Sequence, residues 1–344
     1  MTRDQESQHI VAVVGATGHT GRFVVAELLR RGIAPVAIAR DADGLAAAFA
    51  GTGLDTHAVR LEDGAGLDRA LSRAQAVINC AGPFLDTASA VAAAAIRAGV
   101  HYLDVIAEQA SAAETLDRFD EPARSAGVSV LPAMGFYGGF ADLLATAAMG
   151  DWDSADSVEI AIGLDGWHPT RGTRLTGARN SAPRLVRSRG ELVPLPVPPT
   201  EKQWEFGEPL GRHTVVALPF PETILIARHI AAPEIHTYLS AVAVADIRDP
   251  RTPAPMPSDE SGRSAQRFVV EVVARRATAV RAATAGGRDI YAFTAPFVCE
   301  AAERLVQGRV RRPGAHPPGA IFPAADLLRA LSPEHIRLEV RSVA

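Results

Sequence analysis

Three glycines, Gly15, Gly18 and Gly21, stand at intervals of three in HIVAVVGATGHTGRFVVAELLRRG, residues 9–32. Glycine at this spacing suits the seating of a pyrophosphate on backbone. The first allows a tight turn, the second lets the backbone approach the phosphates, and the third lets a helix pack closely on the preceding strand. A helix opening at His19 then turns its free N–H groups and positive end toward the anion. Thr17, His19 and Thr20 complete the set of candidate contacts in this turn. In a dinucleotide fold an acidic residue about 20 positions on usually holds the ribose 2′-hydroxyl at the end of the second strand. Here that strand, APVAIAR, ends in Arg40, and a guanidinium suits a 2′-phosphate instead. The expected cofactor is therefore NADP(H) rather than NAD(H). The competing reading makes Arg40 a solvated surface group and gives the ribose to Asp41 or Asp43.

Further chemistry-bearing residues follow other strands. VINCAGPF places Asn79, Cys80, Ala81, Gly82, Pro83 and Phe84 over the cofactor, because ligands of open parallel sheets lie beyond the carboxyl ends of the strands. Ala81 and Gly82 allow close approach, and Pro83 and Phe84 could wall the nicotinamide. Cys80 reads as a small buried thiol, with no histidine partner to make it a nucleophile. HYLDVIAEQ offers His101, Tyr102, Asp104 and Glu108. Strand alternation puts Tyr102 and Asp104 on one face, which makes them the candidate proton donors, with a purely structural role as the alternative. Glu108 could equally cap the next helix. PAMGFYGGFADLLA brings backbone close to a ligand at Gly135, Gly138 and Gly139, with Tyr137 in reach, or is a plain interdomain turn. WHPTRGTRLTGARN has Thr170 as the N-cap of a helix, with Arg171 and Arg174 as candidate anion contacts and His168 as a further proton donor. His229 and His236 lack metal spacing, and no metal site is expected.

The elements that must position these residues show a regular grammar over residues 1–131. Strand-like runs at 9–14, 35–39, 57–61, 76–79, 101–105 and 128–131 alternate with helical patterns at 19–31, 65–73, 86–98 and 108–126. Gly32, Gly99 and Gly127 each fit the left-handed position that closes a helix before a strand. Such alternation predicts a Rossmann-type doubly wound parallel sheet. After Pro132 strands are expected at 158–163, 213–218, 223–229, 236–246, 267–275 and 278–284, with few helices between them. This predicts a second α+β domain with a mixed or antiparallel sheet over 132–320. The stretches VPLPVPPT (193–200) and DPRTPAPMPSDESG (249–262) read as exposed loops. TAPFVCEAAERLVQG (294–308) reads as a helix with Thr294 as N-cap and Pro296 in its first turn. The final segment, 321–344, is expected to return to the nucleotide-binding domain.

Composition narrows the function classes. The 344 residues carry a formal net charge of −4, which favours neither nucleic acid nor an anionic membrane surface. Residues 1–8 are polar, without the apolar core of a secretory signal, and no run approaches the roughly 20 apolar residues of a membrane span. Two cysteines, Cys80 and Cys299, cannot build a disulfide framework or a zinc site alone. A cytoplasmic protein is expected, and a homodimer through the second domain's sheet is a possible assembly. Lys202 is the single lysine among 35 basic residues. No tyrosine is followed four positions on by lysine, which excludes the Tyr-x-x-x-Lys chemistry of short-chain dehydrogenases.

GATGHTG, AIARD, VINCAGPF, AGVHYLDVIAEQ and GFYGGFADLLA, with TRGTRLTGARN, IYAFTAPFVCEAAERL and PPGAIFPAADLL further on, resemble the saccharopine dehydrogenase-like oxidoreductases. The resemblance covers most of the chain. It implies an NAD(P)-binding Rossmann domain, a second domain carrying substrate contacts, and hydride transfer to a C=N, C=C or C=O of a small organic substrate. The lysine–histidine pair of the lysine-forming saccharopine dehydrogenases has no counterpart here. Two other readings stand beside an NADP(H)-dependent reductase. One is a redox-neutral enzyme that keeps its dinucleotide bound, and the other is a non-catalytic NADP sensor.

Overall fold

The computed structural model describes residues 8–343; residues 1–7, most of the polar N-terminal octet, lie outside the described residues. The first elements are β1 (Ile10–Val14), α1 (His19–Arg30), β2 (Ala34–Ala39), α2 (Ala42–Phe49), β3 (Asp55–Ala58), α3 (Gly64–Leu71), β4 (Ala76–Asn79), α4 (Phe84–Ala98), β5 (His101–Asp104), α5 (Gln109–Ala126) and β6 (Ser129–Leu131). Gly32, Gly99 and Gly127 all take positive φ, near +70°, and close α1, α4 and α5 as their positions in the sequence require. Asp41 and Asp63 cap α2 and α3 through their carboxylates.

The middle of the chain forms α6 (Gly139–Met149), β7 (Ser157–Leu164), α7 (Arg171–Arg179), β8 (Leu185–Ser188), β9 (Glu191–Pro194), β10 (Glu201–Glu205), β11 (Arg212–Ala217), α8 (Pro221–Ala227), β12 (Glu234–Ser240), α9 (Ala241–Arg248), β13 (Arg267–Arg276) and β14 (Ala279–Arg288). The chain ends through α10 (Ile290–Val306), β15 (Gly314–Ala315), α11 (Pro318–Ile321), α12 (Ala324–Ala330) and β16 (Ile336–Val343).

Seven parallel strands in the order β15-β6-β5-β4-β1-β2-β3 make the first sheet. Its order reverses between β1 and β4, the point where open α/β sheets open a ligand crevice. Alternation along β1 divides the core. Val11 and Val13 face the layer of α1 and α10, whereas Ala12 and Val14 face α3, α4 and α5. The second sheet has nine strands, with β10-β11-β12-β7-β13-β14-β16 as its path and the β8–β9 hairpin attached to β12. It is mixed: β12 and β7 run parallel and most other neighbours antiparallel. One continuous core joins this sheet to the α1/α10 face of the first.

Several boundaries differ from the sequence reading. Helix α10 and strand β15 complete the last crossover of the parallel sheet after β6, so the second unit is an insertion within that crossover. Segment 321–344 is expected to return to the nucleotide-binding sheet, but among its described residues β16 pairs with β14 in the mixed sheet. The run expected as a strand at 223–229 is helix α8, buried over Pro221–Ile226, where an apolar run carries no period to tell helix from strand. The expected strand 236–246 is β12 followed directly by α9. The helix expected from Thr294 starts at Ile290. Its cap is Asp289, whose carboxylate accepts from the Tyr291 and Ala292 N–H groups, and the Thr294 hydroxyl donates to the Ile290 carbonyl instead. Among the described residues no helix is long and apolar enough to cross a membrane.

Candidate functional site

The glycine turn sits between β1 and α1 with the geometry a phosphate needs. Gly15 has φ +79, and a Cβ there would lie 2.8 Å from the Ala81 backbone N. A Cβ on Gly21 would collide with the Gly15 carbonyl. Gly18 is exposed and occupies the N-cap of α1, where no side chain caps the helix and no acid stands in the first turn. The turn thus presents bare backbone donors at a helix N-terminus. His19 opens α1, its ring edge-on to Phe23 and Tyr291 at 5.4 Å each. Burial lowers its pKa. Thr17 and Thr20 are half-buried in the same turn. Arg40 is exposed at the end of β2, while the neighbouring Asp41 directs its carboxylate to the Asp43 N–H as the cap of α2.

The loop after β4 lies across the switch point from this turn and is braced from within. The Asn79 side-chain amide oxygen accepts from the Ala81 N–H at 3.0 Å, and the Thr87 hydroxyl donates to the Ala81 backbone carbonyl at 2.6 Å. Gly82 and Pro83 are joined by a cis peptide bond. Thr176 of α7 leaves no room for a Cβ at Gly82, since its hydroxyl oxygen would lie 2.9 Å away. Helix α7 therefore overhangs the loop, and Arg179 ties it to Asp86 of α4 at 2.9 Å. Cys80 is part of this wall. Burial, with the Asp104 carboxyl nearby, pushes its thiol up to about 12, so it is no thiolate nucleophile.

Tyr102 and Asp104 do share a face of β5, but it is the face that α4 and α5 cover. Both side chains are fully buried. The Tyr102 hydroxyl accepts from the Asn79 amide at 3.4 Å. The Asp104 carboxylate accepts from the backbone N–H groups of Ile106 and Ala133, at 3.1 and 2.7 Å. Neither reaches an open surface: both hold the ends of β5 and β6, the structural role that is the alternative reading of this pair. Burial raises Asp104 to about 7 despite these hydrogen bonds. His101 is likewise structural, its Nδ1 meeting the Ser129 N–H. Glu108, also buried, accepts from the N–H of Phe84 at the start of α4 and from that of Ala107. It caps the preceding helix rather than the following one.

The two arginines expected to meet an anion differ in their surroundings. Arg174 donates to the carbonyls of Asp249 and Thr252 and so fastens the proline-rich loop, whereas Arg171 is exposed on α7. Thr170 caps α7 as expected, through the Thr173 N–H. His168 lines a cavity of about 410 Å³ with Met256, Gln266 and Tyr291. The Tyr291 hydroxyl is a hub for the Trp167 indole, the Thr170 N–H and the Thr173 hydroxyl. It links α10 to α7 beside the glycine turn.

Sequence reasoning missed Gln109, Arg184 and Glu222. Gln109, the first residue of α5, donates to the carbonyls of Leu185 and Phe220 and accepts from the Leu185 N–H, at 2.9, 3.0 and 2.8 Å. It fastens the start of β8 and the turn before α8 beside the Phe84 corner. Only long-range contacts make this clamp, so no local signal marks it. Tyr137 stacks on Phe220 with ring centroids 4.1 Å apart, and Trp167 lies 5.1 Å from Tyr137.

The family model described as saccharopine dehydrogenase NADP binding domain matches residues 11–131, the stretch from β1 to β6. Over that stretch the chain is similar to the saccharopine dehydrogenase NADP-binding domain. The apo histidine-tagged saccharopine dehydrogenase (L-Glu forming) from Saccharomyces cerevisiae superposes with a TM-score of 0.68 over 98% of this chain and 100% of that one. At 15% identity the match shows a shared saccharopine dehydrogenase fold, the inserted mixed-sheet unit included. A lipid droplet localized protein of Caenorhabditis elegans is 30% identical over 256 residues, 62% of this chain and 57% of the relative. The match thus spans little more than half of that relative's length.

Proposed function

We propose that this chain is an oxidoreductase that binds NADP(H) across the carboxyl ends of β1 and β4 and exchanges hydride with a C=N, C=C or C=O of a small organic substrate. The observation that carries the reading is the uncapped N-terminus of α1 behind a glycine turn that admits no Cβ at Gly15 or Gly21. A pyrophosphate would complete that helix end, with His19 and Thr20 as its backbone donors. Arg40 stands free at the edge of β2 to take a 2′-phosphate, while Asp41 is engaged with α2. When bound, the nicotinamide would supply or accept the hydride. The residues of this chain bind and orient: Ala81, Gly82 and Pro83 wall one side, and α7 with its Tyr291 tether screens the crevice from water.

Fluorescence titration with NADPH and NADH tests the cofactor. Wild type is expected to prefer NADPH, and Arg40→Asp to lose at least ~10-fold in NADPH affinity while its NADH affinity is unchanged or improved. Equal affinities in wild type overturn the NADP(H) assignment, and no binding of either dinucleotide overturns the function. Turnover is followed as NADPH absorbance with imines, 2-oxo acids plus amines, enones and ketones. Bound NADPH without consumption by any of these classes counts against the reductase.

A further inference from the structure

Three polar groups gather around Phe220 without partners to match. The guanidinium of Arg184 lies 4.9 Å from the Phe220 ring centroid and donates one hydrogen bond, to the Pro219 carbonyl at 2.6 Å. Among the described residues no carboxylate comes within 4 Å of it. Arg31 is ion-paired with Glu27, Glu300 and Glu303, and Arg304 with Glu300 and Asp326, whereas Arg187, like Arg184, donates only to a backbone carbonyl, that of Ala227. The Tyr137 ring stacks on Phe220, and its buried hydroxyl has no hydrogen-bond partner. Glu222 is fully buried; one oxygen accepts from the Phe220 N–H at 2.8 Å and the other has no partner.

We infer that Arg184, with the Tyr137 hydroxyl, receives a carboxylate group of the substrate, an assignment that builds on the proposed oxidoreductase function. Four of the five guanidinium donors remain for a ligand, in the fork that matches two carboxylate oxygens. The acids nearest in charge, Glu108 and Glu222, are both shifted toward their neutral forms by burial and are held by backbone N–H groups. Neither forms an ion pair with the guanidinium, which stands in a half-buried setting where an anion gains most. Glu108 bonds Phe84 at the corner beyond β4, and Gln109 ties α5 to Leu185, next to Arg184. The anchor therefore stands beside the wall assigned to the nicotinamide. The rings of Tyr137, Phe220 and Trp167 offer an apolar surface to the rest of the molecule.

Calorimetric titration of the full chain with straight-chain mono- and dicarboxylates of two to ten carbons, and with their methyl esters, tests this with and without saturating NADPH. Acids within some range of chain length are expected to bind wild type and their esters to fail. Arg184→Gln is expected to weaken acid binding at least ~10-fold, Arg184→Lys to restore part of it, and Tyr137→Phe to weaken it several-fold. All variants are compared at equal folded fraction by thermal melting. Acids and esters binding alike, no acid binding wild type, or Arg184→Gln binding acids as wild type does would each overturn the assignment. So would a loss of NADPH affinity in Arg184→Gln with acid binding intact, which gives the guanidinium to the dinucleotide. The NADPH titration reports separately on the oxidoreductase reading, and the acid titration without NADPH decides the anchor even if that reading fails.

Discussion

The Asp104 carboxylate accepts a hydrogen bond from the Ala133 N–H at 2.7 Å, tying the end of β5 to a backbone turn with φ +56 just after β6. The Asp104 carbonyl accepts from the next N–H, that of Met134, at 2.6 Å. One residue thus sets the path by which the chain leaves the parallel sheet for the inserted unit.

Burial raises Asp104 from 3.8 to about 7, so folding favours its protonated form. Its contribution to stability is full below pH 3.8 and declines as pH climbs through about 7, by up to ~1.4 kcal/mol per unit. Asp104→Asn keeps the acceptor oxygen and has no charge to bury. Its melting temperature is expected to match wild type near pH 4 and to exceed it at pH 8. Asp104→Ala leaves two buried N–H groups unpaired and should lose about 2–4 kcal/mol at either pH.

His229 and Asp142 form a second pH-sensitive contact, Nε2 to Oδ1 at 2.6 Å, with Asp142 fully buried. Asp142 raises the His229 pKa against the opposing effect of burial. The charged pair stabilises the fold below pH 6.5, and this is lost as pH rises through the raised value. In His229→Gln the melting temperature should be lower than wild type at pH 6, and the gap should narrow by pH 9.

Gly21 and Gly177 make a matched pair of tests. Alanine at Gly21 meets the Gly15 carbonyl, whereas a Cβ at Gly177 in α7 meets nothing within 4 Å. Gly21→Ala should lower NADPH affinity by at least ~10-fold and also lower the melting temperature. Gly177→Ala should leave affinity intact and stabilise by about 0.5–1 kcal/mol.

Gln109→Ala removes a three-bond clamp and leaves the Leu185 and Phe220 backbone groups without their partner. A loss of about 2–4 kcal/mol in denaturant unfolding is expected. Because the clamp also positions Arg184, the same variant should weaken carboxylate binding beyond what melting explains.

The parallel sheet was legible because its signals are local. Gly15, Gly18 and Gly21 and the closing glycines at 32, 99 and 127 each act within a few residues of themselves. Tyr102 and Asp104 were placed on the right shared face, but alternation cannot say which face helices cover. Asp289 was overlooked because GGRD reads as a strand end, and Pro296, an interior residue of α10, reads as a first turn. Arg184 escaped notice for a different reason: its neighbours Pro219, Phe220 and Glu222 are brought to it only by the tertiary fold.

The insertion after β6 and the return of β16 to the mixed sheet interlace the two halves. A protease cutting once in the exposed loop 249–262, where Met256 stands open to solvent, would separate residues 1–255 from 256–344 in sequence. The first piece would carry β1 to β12 and the second β13 to β16, so each would own strands of both sheets. A nick that splits most two-domain chains into free parts would here leave two polypeptides clasped through two separate β-ladders, travelling as one species until denaturant is added.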